Sequence, residues 1–290
     1  MPRAVDHLVI AAHDLEAQAA LYRRLGFQVG ARNRHSWGTE NHIVQFGGAF
    51  LELIGLAEGF AAPAATEPTF PFAGFVAAYL AGREGLAMMV MRSADAEADR
   101  RGFKAAGIGG FARFDFGRKG RRPDGREVEV AFSLAFAASP ALPETGFFVC
   151  QQHFPENFWS RAAQVHPNGA LGVAGLTLVC EAPDRVEPFL AAFLDAPAQP
   201  IAGGAAFAAD GTRVECVTPE AYSALYGAPA AGLGLAAARI AVADLEATER
   251  RLSEAGIVVR RRAGMAIVDA EATMGALVAF VEAAPAVRSD

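Results

Sequence analysis

The stretch Val5-Asp6-His7-Leu8-Val9-Ile10, the interval from Asp14 to Gly26 and the stretch Phe50-Leu51-Glu52-Leu53-Ile54 decide how this chain is read. The first six residues form a short apolar strand interrupted by one imidazole. Asp14 supplies a helix N-cap, because its carboxylate can accept the free amide protons of the first turn. Leu15, Ala19, Tyr22 and Leu25 recur at helical spacing, so one face is apolar and docks on a sheet. Gly26 ends the helix as a residue that adopts positive φ freely. Phe27–Asn33, Asn41–Gly47 and Phe50–Ile54 then read as strands, with Gly47-Gly48 as the tight turn between the last two. Glu52 alternates with Leu51 and Leu53, so it faces the opposite side, into solvent or a polar cavity.

This unit recurs. Asp14 is followed twelve residues later by Gly26-Phe27, Asp95 by Gly107-Ile108 and Asp244 by Gly256-Ile257, each after an apolar strand. Asp184 opens a weaker copy whose helix, Arg185–Leu194, stops at Asp195-Ala196-Pro197, with proline in place of glycine. Strand-like sequence follows each helix. It covers Phe111–Gly117, Glu127–Ala137 and Gly146–His153 in the second copy, and Ala205–Ala208 and Thr212–Thr218 in the third. In the fourth it covers Gly264–Val268 and Gly275–Glu282. The reading is an α+β chain of four βαβββ modules. Each module alone buries one face of its curved sheet, so module one pairs with two and three with four. Residues 1–153 and 171–290 are then two domains, joined by a packed, irregular segment over 154–170.

Composition narrows the function classes. The chain has 290 residues, 52% hydrophobic and 20% charged, a core-forming balance. A net charge of −6 argues against nucleic acid as a partner, since such proteins present a basic face. The basic run Arg118-Lys119-Gly120-Arg121-Arg122 precedes the turn signal Pro123-Asp124-Gly125 and reads as a solvated hairpin tip, with an anion-binding lip as the other reading. Cys150, Cys180 and Cys216 are too scattered for a disulfide framework or zinc knuckle, which fits a reducing, cytoplasmic setting. No basic-then-apolar leader and no apolar run of about 18 residues points to export or a membrane. Gly107-Ile108-Gly109-Gly110 follows a helix instead of opening one, so no nucleotide cofactor is implied.

Four such modules, with Asp6-His7-Leu8-Val9, Leu25-Gly26-Phe27, Phe50-Leu51-Glu52-Leu53, Phe147–His153 and His166-Pro167-Asn168-Gly169-Ala170, resemble the vicinal oxygen chelate superfamily, and within it the glyoxalase-like domain family. The resemblance implies two half-barrel domains, each a cup whose inner wall carries metal ligands from the first and last strands of its modules. His7 and Glu52 stand where the first module's pair belongs, for a divalent ion such as zinc, iron, manganese or nickel. Aligning the copies on their aspartates puts Met88, Thr177 and Ala237 at the place of His7, so no second first-strand histidine exists. In the second module's last strand, Gln151 and His153 share one face, and His7, Glu52 and His153 would make a two-histidine, one-carboxylate set with open coordination positions. Counting from the glycine turns aligns Glu52 with Cys150 instead, so that set needs a small register shift.

The implied function is a small-molecule lyase, isomerase or dioxygenase in which the ion holds adjacent substrate oxygens, with Glu52 as base. The alternative is a non-catalytic small-molecule binder with no metal. Gln151, Trp37, Trp159 and His166 are the candidate substrate contacts, Trp37 and Trp159 being the two tryptophans of the chain. Blander readings stand beside each: His7 as a hydrogen-bonded pocket residue, Glu52 as the partner of an arginine, His153 as a strand end and His166 as a structural turn. His13, His35 and His42 fall in loop or edge contexts and are assigned to solvent. In the second half only Glu215 keeps a carboxylate at the fourth-strand place, so that half reads as scaffold or as a self-association surface for a homodimer.

Overall fold

Three of the four repeat helices begin as their aspartates require. In the computed structural model, which describes residues 1–61, 68–121 and 127–283, Asp14 Oδ1 accepts from the Ala17 amide at 2.9 Å and Asp244 Oδ1 from Ala247 at 2.8 Å. Asp95 Oδ1 accepts from Glu97 at 3.0 Å and Ala98 at 2.9 Å. Gly26, Gly107 and Gly256 each end their helix at positive φ (85°, 72° and 72°).

The first module is β1 (Val5–Ala11), α1 (Leu15–Arg24), β2 (Asn33–Arg34), β3 (Thr39–Gln45) and β4 (Phe50–Leu56). Helix α2 (Phe72–Gly82) leads to the second: β5 (Gly85–Arg92), α3 (Ala96–Ala105), β6 (Phe114–Arg121), β7 (Glu127–Ala137) and β8 (Gly146–Gln152). The short helix α4 (Pro155–Phe158) and a turn of 3₁₀ helix over Arg161–Gln164 cross to the third module. That module is β9 (Ala170–Val179), α5 (Pro183–Leu194), β10 (Gln199–Ile201), β11 (Gly204–Ala209) and β12 (Thr212–Val217). After α6 (Pro219–Tyr226) comes the fourth: β13 (Gly234–Val242), α7 (Leu245–Glu254), β14 (Arg260–Arg262), β15 (Met265–Val268) and β16 (Leu277–Glu282).

The modules pair as expected, one with two and three with four. One sheet runs β2-β3-β4-β1-β5-β8-β7-β6, and the other repeats that order as β10-β11-β12-β9-β13-β16-β15-β14. Within each, the two first strands meet antiparallel at the centre and each first strand lies parallel to its own module's last strand. The helix-bearing faces of both sheets share one core, in which Phe27 stacks on Phe280 at 5.9 Å and Phe147 meets Phe189 at 4.8 Å. Each such buried ring contributes roughly 1.5–3 kcal/mol. The concave faces are lined by separate clusters, one per sheet.

Several local expectations are corrected. Phe27–Arg32 is not a strand: the Gly30 amide donates to Ile43 O at 2.9 Å, and regular pairing begins only at Asn33. The third repeat helix is capped at Ala182 and starts with Pro183, so Asp184 sits in the first turn instead of capping it. Helices α2 and α6 were not anticipated; α2 is apolar almost all round and buries Phe72, Ala73, Val76, Tyr79 and Leu80. Arg118 and Lys119 belong to β6, whereas the turn after Arg121 lies outside the described residues. Among the described residues, no helix is long and apolar enough to cross a membrane.

Candidate active site

The first sheet curls into a narrow cup whose wall is largely aromatic: Trp37, Phe50, Phe72, Phe116, Phe132, Phe148 and Phe158. Period-two alternation sets that wall, with Phe50 and Glu52 from β4, Asn41 and Ile43 from β3, and Phe116 and Arg118 from β6 all facing inward. Glu52 therefore lies on the cup side, opposite Leu51 and Leu53, which join the helix-side core.

At the cup's floor the strand pleat is broken. Val5 pairs with Met91 but His7 pairs with Val90, so Asp6 is the extra residue of a β-bulge. The bulge brings consecutive side chains to the same side. Asp6, with no solvent exposure, receives His7 Nδ1 on Oδ1 at 2.6 Å and the Gln152 Nε2 amide on Oδ2 at 2.9 Å. Because both oxygens accept, Nδ1 carries a proton, and the tautomer that keeps its lone pair on Nε2 points that lone pair into the cup. Nε2 lies 3.7 Å from Glu52 Oε2. The imidazole is held flat on Phe50 (centroids 4.3 Å apart, 13° between planes) with Phe148 edge-on at 5.5 Å.

Glu52 is tied to the rim by amides. The Asn41 Nδ2 amide donates to Glu52 Oε1 at 2.5 Å, Asn33 Nδ2 donates to Asn41 Oδ1 at 3.1 Å, and Arg118 Nη1 donates to Asn33 Oδ1 at 2.5 Å. The carboxylate and the guanidinium thus stand at the two ends of a polarised hydrogen-bond chain without touching. His35 stacks on Trp37 at 4.5 Å and meets Thr39 Oγ1 at 2.8 Å. Burial lowers the His35 pKa, outweighing the Glu52 charge that raises it, so this ring is neutral. Burial also pushes the Cys150 thiol well up, helped by the Asp6 and Glu52 charges, and the thiol is no nucleophile. The Trp37 indole Nε1 is buried and has no acceptor among the described residues.

Of the sequence-predicted site residues, the cup unites His7, Glu52 and Trp37. His153 and Gln151 do not join them. Both lie on the helix-bearing side of their strand: Gln151 Oε1 accepts from the Ala96 amide at the start of α3, and His153 Nε2 meets Ser133 Oγ at 2.8 Å. It is Phe158, not Trp159, that lines the cup; Trp159 packs edge-on against Phe50 at 5.9 Å from outside. His166 is a buried staple, accepting from the Gln28 amide on Nδ1 at 3.0 Å and donating from Nε2 to Gln45 O at 2.7 Å. The assignment of His35 and His42 to solvent is corrected, since His35 lines the cup and His42 is 3% exposed, bonded to Gly30 O. Asp6, Asn41, Asn33 and Arg118 were not foreseen as site residues.

The donor set does not fit a three-ligand metal. Strand registers place His7 opposite Phe50 and Met88 opposite Gly146, so the second module's counterparts of His7 and Glu52 are Met88 and Phe148, neither a hard donor. Glu52 Oε1 already accepts from Asn41, and among the described residues no group of three His, Cys, Asp or Glu could hold an ion. The second cup is closed by its own side chains. Glu215 accepts from Arg239 Nη1 at 2.6 Å and Arg213 Nε at 2.7 Å, and Tyr226 of α6 meets Thr177 Oγ1 at 2.8 Å beside them. Glu215 pairs with Thr177 in register, so the counterpart of His7 there is Gly175, where a Cβ would lie 2.3 Å from Arg239.

Comparison with known proteins agrees with this architecture. The sequence pattern of the glyoxalase-like domain family matches residues 5–194, more than half the chain, ending where α5 ends. A search of curated proteins finds no match. Among solved structures, a hypothetical protein from Staphylococcus aureus superposes with a TM-score of 0.69 at 9% identity, covering 98% of this chain and 100% of that one. A mutant 4-hydroxymandelate synthase from Streptomyces coelicolor gives 0.60 at 14% identity, over 97% and 92%. A xylose isomerase-like TIM barrel/4-hydroxyphenylpyruvate dioxygenase fusion protein gives 0.60 at 13%, over 100% of this chain and 50% of the fusion. At these identities the structures speak to fold alone. With the paired βαβββ modules and the match over residues 5–194, the chain belongs to the glyoxalase-like domain family of the vicinal oxygen chelate superfamily.

Proposed function

We propose that the first cup binds a small organic molecule and moves a proton on it through His7, as an isomerase or lyase acting at a carbon beside a carbonyl does. The observation that carries this reading is the buried Asp6–His7 pair, 2.6 Å long, which leaves Nε2 facing the cup 3.7 Å from Glu52. Asp6 fixes the tautomer with the lone pair on Nε2 and stabilises the imidazolium formed when Nε2 takes a proton. Glu52 stabilises the same cation from the other side and is a second station from which the proton can return at a neighbouring carbon. The aromatic wall excludes water and strengthens both interactions. No step is routed through a metal ion, because Met88 and Phe148 leave the chelate incomplete.

The test is deuterium incorporation from D₂O into a panel of small enolisable ketones and aldehydes, followed by NMR, with elemental mass spectrometry on the same protein. The native chain should exchange at least one panel member, and His7→Gln should slow it by roughly 10²–10⁴-fold, the usual scale of acid–base catalysis. Exchange that His7→Gln leaves untouched overturns the proposal. So does stoichiometric metal that is lost in both His7→Ala and Glu52→Ala, which restores the metal-dependent reading. A second reading, a non-catalytic binder, is favoured by the seven aromatic rings of the wall; tight binding without exchange would establish it.

A further inference from the structure

Three features of the cup are unused by proton transfer at His7. The first is Arg118, whose hydrogen bond to Asn33 occupies one of five guanidinium N–H donors, and which forms no ion pair among the described residues. It reaches the cup because β6 alternates Phe114, Phe116 and Arg118 toward the concave face, while Arg113, Asp115 and Lys119 take the other. The second is the Trp37 indole N–H, buried on a cup-lining residue with no acceptor among the described residues. A buried donor in this state costs free energy that a ligand acceptor would restore. The third is the shape of the walls: parallel ring pairs, His35 on Trp37 (11°) and Phe116 on Phe132 (26°), which present flat faces.

We infer that the cup is built for a flat carboxylate, an aromatic or conjugated monoanion whose two oxygens engage the Arg118 guanidinium and the Trp37 indole N–H. A guanidinium fork matches a planar carboxylate with two parallel bonds. Trp37 and Phe116 meet edge-on (centroids 4.8 Å apart, 79° between planes), so the body of the ligand lies against one ring face and the edge of the next. The Asn33–Asn41 amide chain holds the cation away from Glu52, so an anion at Arg118 lies clear of the floor carboxylate and brings carbon, not charge, over His7. The second cup shows the contrasting arrangement, in which Arg239 and Arg213 both bind Glu215 directly. This assignment rests on the proposed function for its chemistry but has its own test.

Calorimetric titration with trans-cinnamate, its neutral isostere cinnamamide and phenyl phosphate reads the site directly. Native protein should bind cinnamate roughly tenfold or more tighter than cinnamamide, the scale of one charge-assisted hydrogen-bond pair. Arg118→Gln should abolish that preference and Arg118→Lys should keep part of it, while Trp37→Phe weakens cinnamate more than cinnamamide. Arg118 sits on a solvent-exposed edge strand, so circular dichroism of Arg118→Gln should match the native chain. Equal affinity for acid and amide, or a preference that survives Arg118→Gln, overturns the assignment, and phenyl phosphate binding above cinnamate overturns the carboxylate class. If the exchange assay fails while the Arg118-dependent preference holds, the proton-transfer reading falls and the carboxylate site stands.

Discussion

Replacing Asp6 with asparagine tests the floor of the cup with a change of a single atom. Asp6 is completely buried and its two oxygens receive His7 Nδ1 at 2.6 Å and Gln152 Nε2 at 2.9 Å. An amide keeps one acceptor and turns an NH₂ toward the remaining donors, so at least one charge-assisted bond is lost and a donor meets a donor. Each such bond is worth about 1.5–3 kcal/mol, and the relief of burying a charge offsets part of the loss. The net cost of Asp6→Asn should be about 2–3 kcal/mol, or roughly 30–140-fold in the folded-to-unfolded ratio at 1.4 kcal/mol per tenfold. Equilibrium urea unfolding followed by far-ultraviolet circular dichroism measures it, with Gln152→Ala as a one-bond control near 1 kcal/mol. The same variant frees the imidazole to adopt the other tautomer, so deuterium exchange should fall by a factor on the order of 10³–10⁴. A stability change below about 0.5 kcal/mol with exchange unaltered would mean the Asp6–His7 bond neither holds the bulge nor orients the ring.

Two further predictions concern ion pairs and pH. Arg239→Met should destabilise the chain by about 1.5–3 kcal/mol, because it leaves Glu215 only Arg213 of its two arginine partners, while adding Glu215→Gln should recover part of that loss; denaturant midpoints of the cycle decide it. The lowered pKa of Glu215, set by Arg239 and Arg213 against the burial that raises it, means its stabilisation is full above the unfolded carboxyl value and fades as acid titrates the folded value. For His166, burial lowers the pKa, against the raising effect of its bond to Gln45 O. The unfolded chain then takes the proton first, so this part of stability is complete above about pH 6.5 and falls as pH drops from there toward the folded value. Unfolding free energies between pH 7 and 5 should slope less in His166→Gln than in the native chain, and an identical slope would discount the staple.

How far the site could be read in advance depended on the strand. In β4 the outward leucines and the inward Glu52 have different chemistry, so alternation alone aimed the carboxylate at the cup. Strand β8 carries Phe147, Phe148, Val149 and Cys150, buried on both faces, and offers no such contrast. Gln151 and His153 could be seen to share a face, but not which one, and they fell on the helix side. Asp6 was hidden by its bulge, since unbroken alternation sends it away from His7. Pro183 displaced the third helix cap by two residues, which moved the counterpart of His7 from Thr177 to Gly175. Helix α2 escaped because an all-apolar segment has no periodic face, and His35 and Arg118 because long-range packing alone brings β2, β3 and β6 to one rim.

The filling of the second cup bears on how the first can persist. Glu52, an indole N–H without an acceptor among the described residues and a guanidinium held short of its carboxylate are each unfavourable to folding. A single half-barrel carrying all of them would stand near the threshold at which small domains unfold. Here the two halves share one core, and the other half has Arg239, Tyr222 and Tyr226 packed where a ligand would go. Duplication thus permits a division of labour: one copy serves as ballast, and the other is free to keep a strained, half-satisfied cavity that selection can retune for a new guest without unfolding the chain.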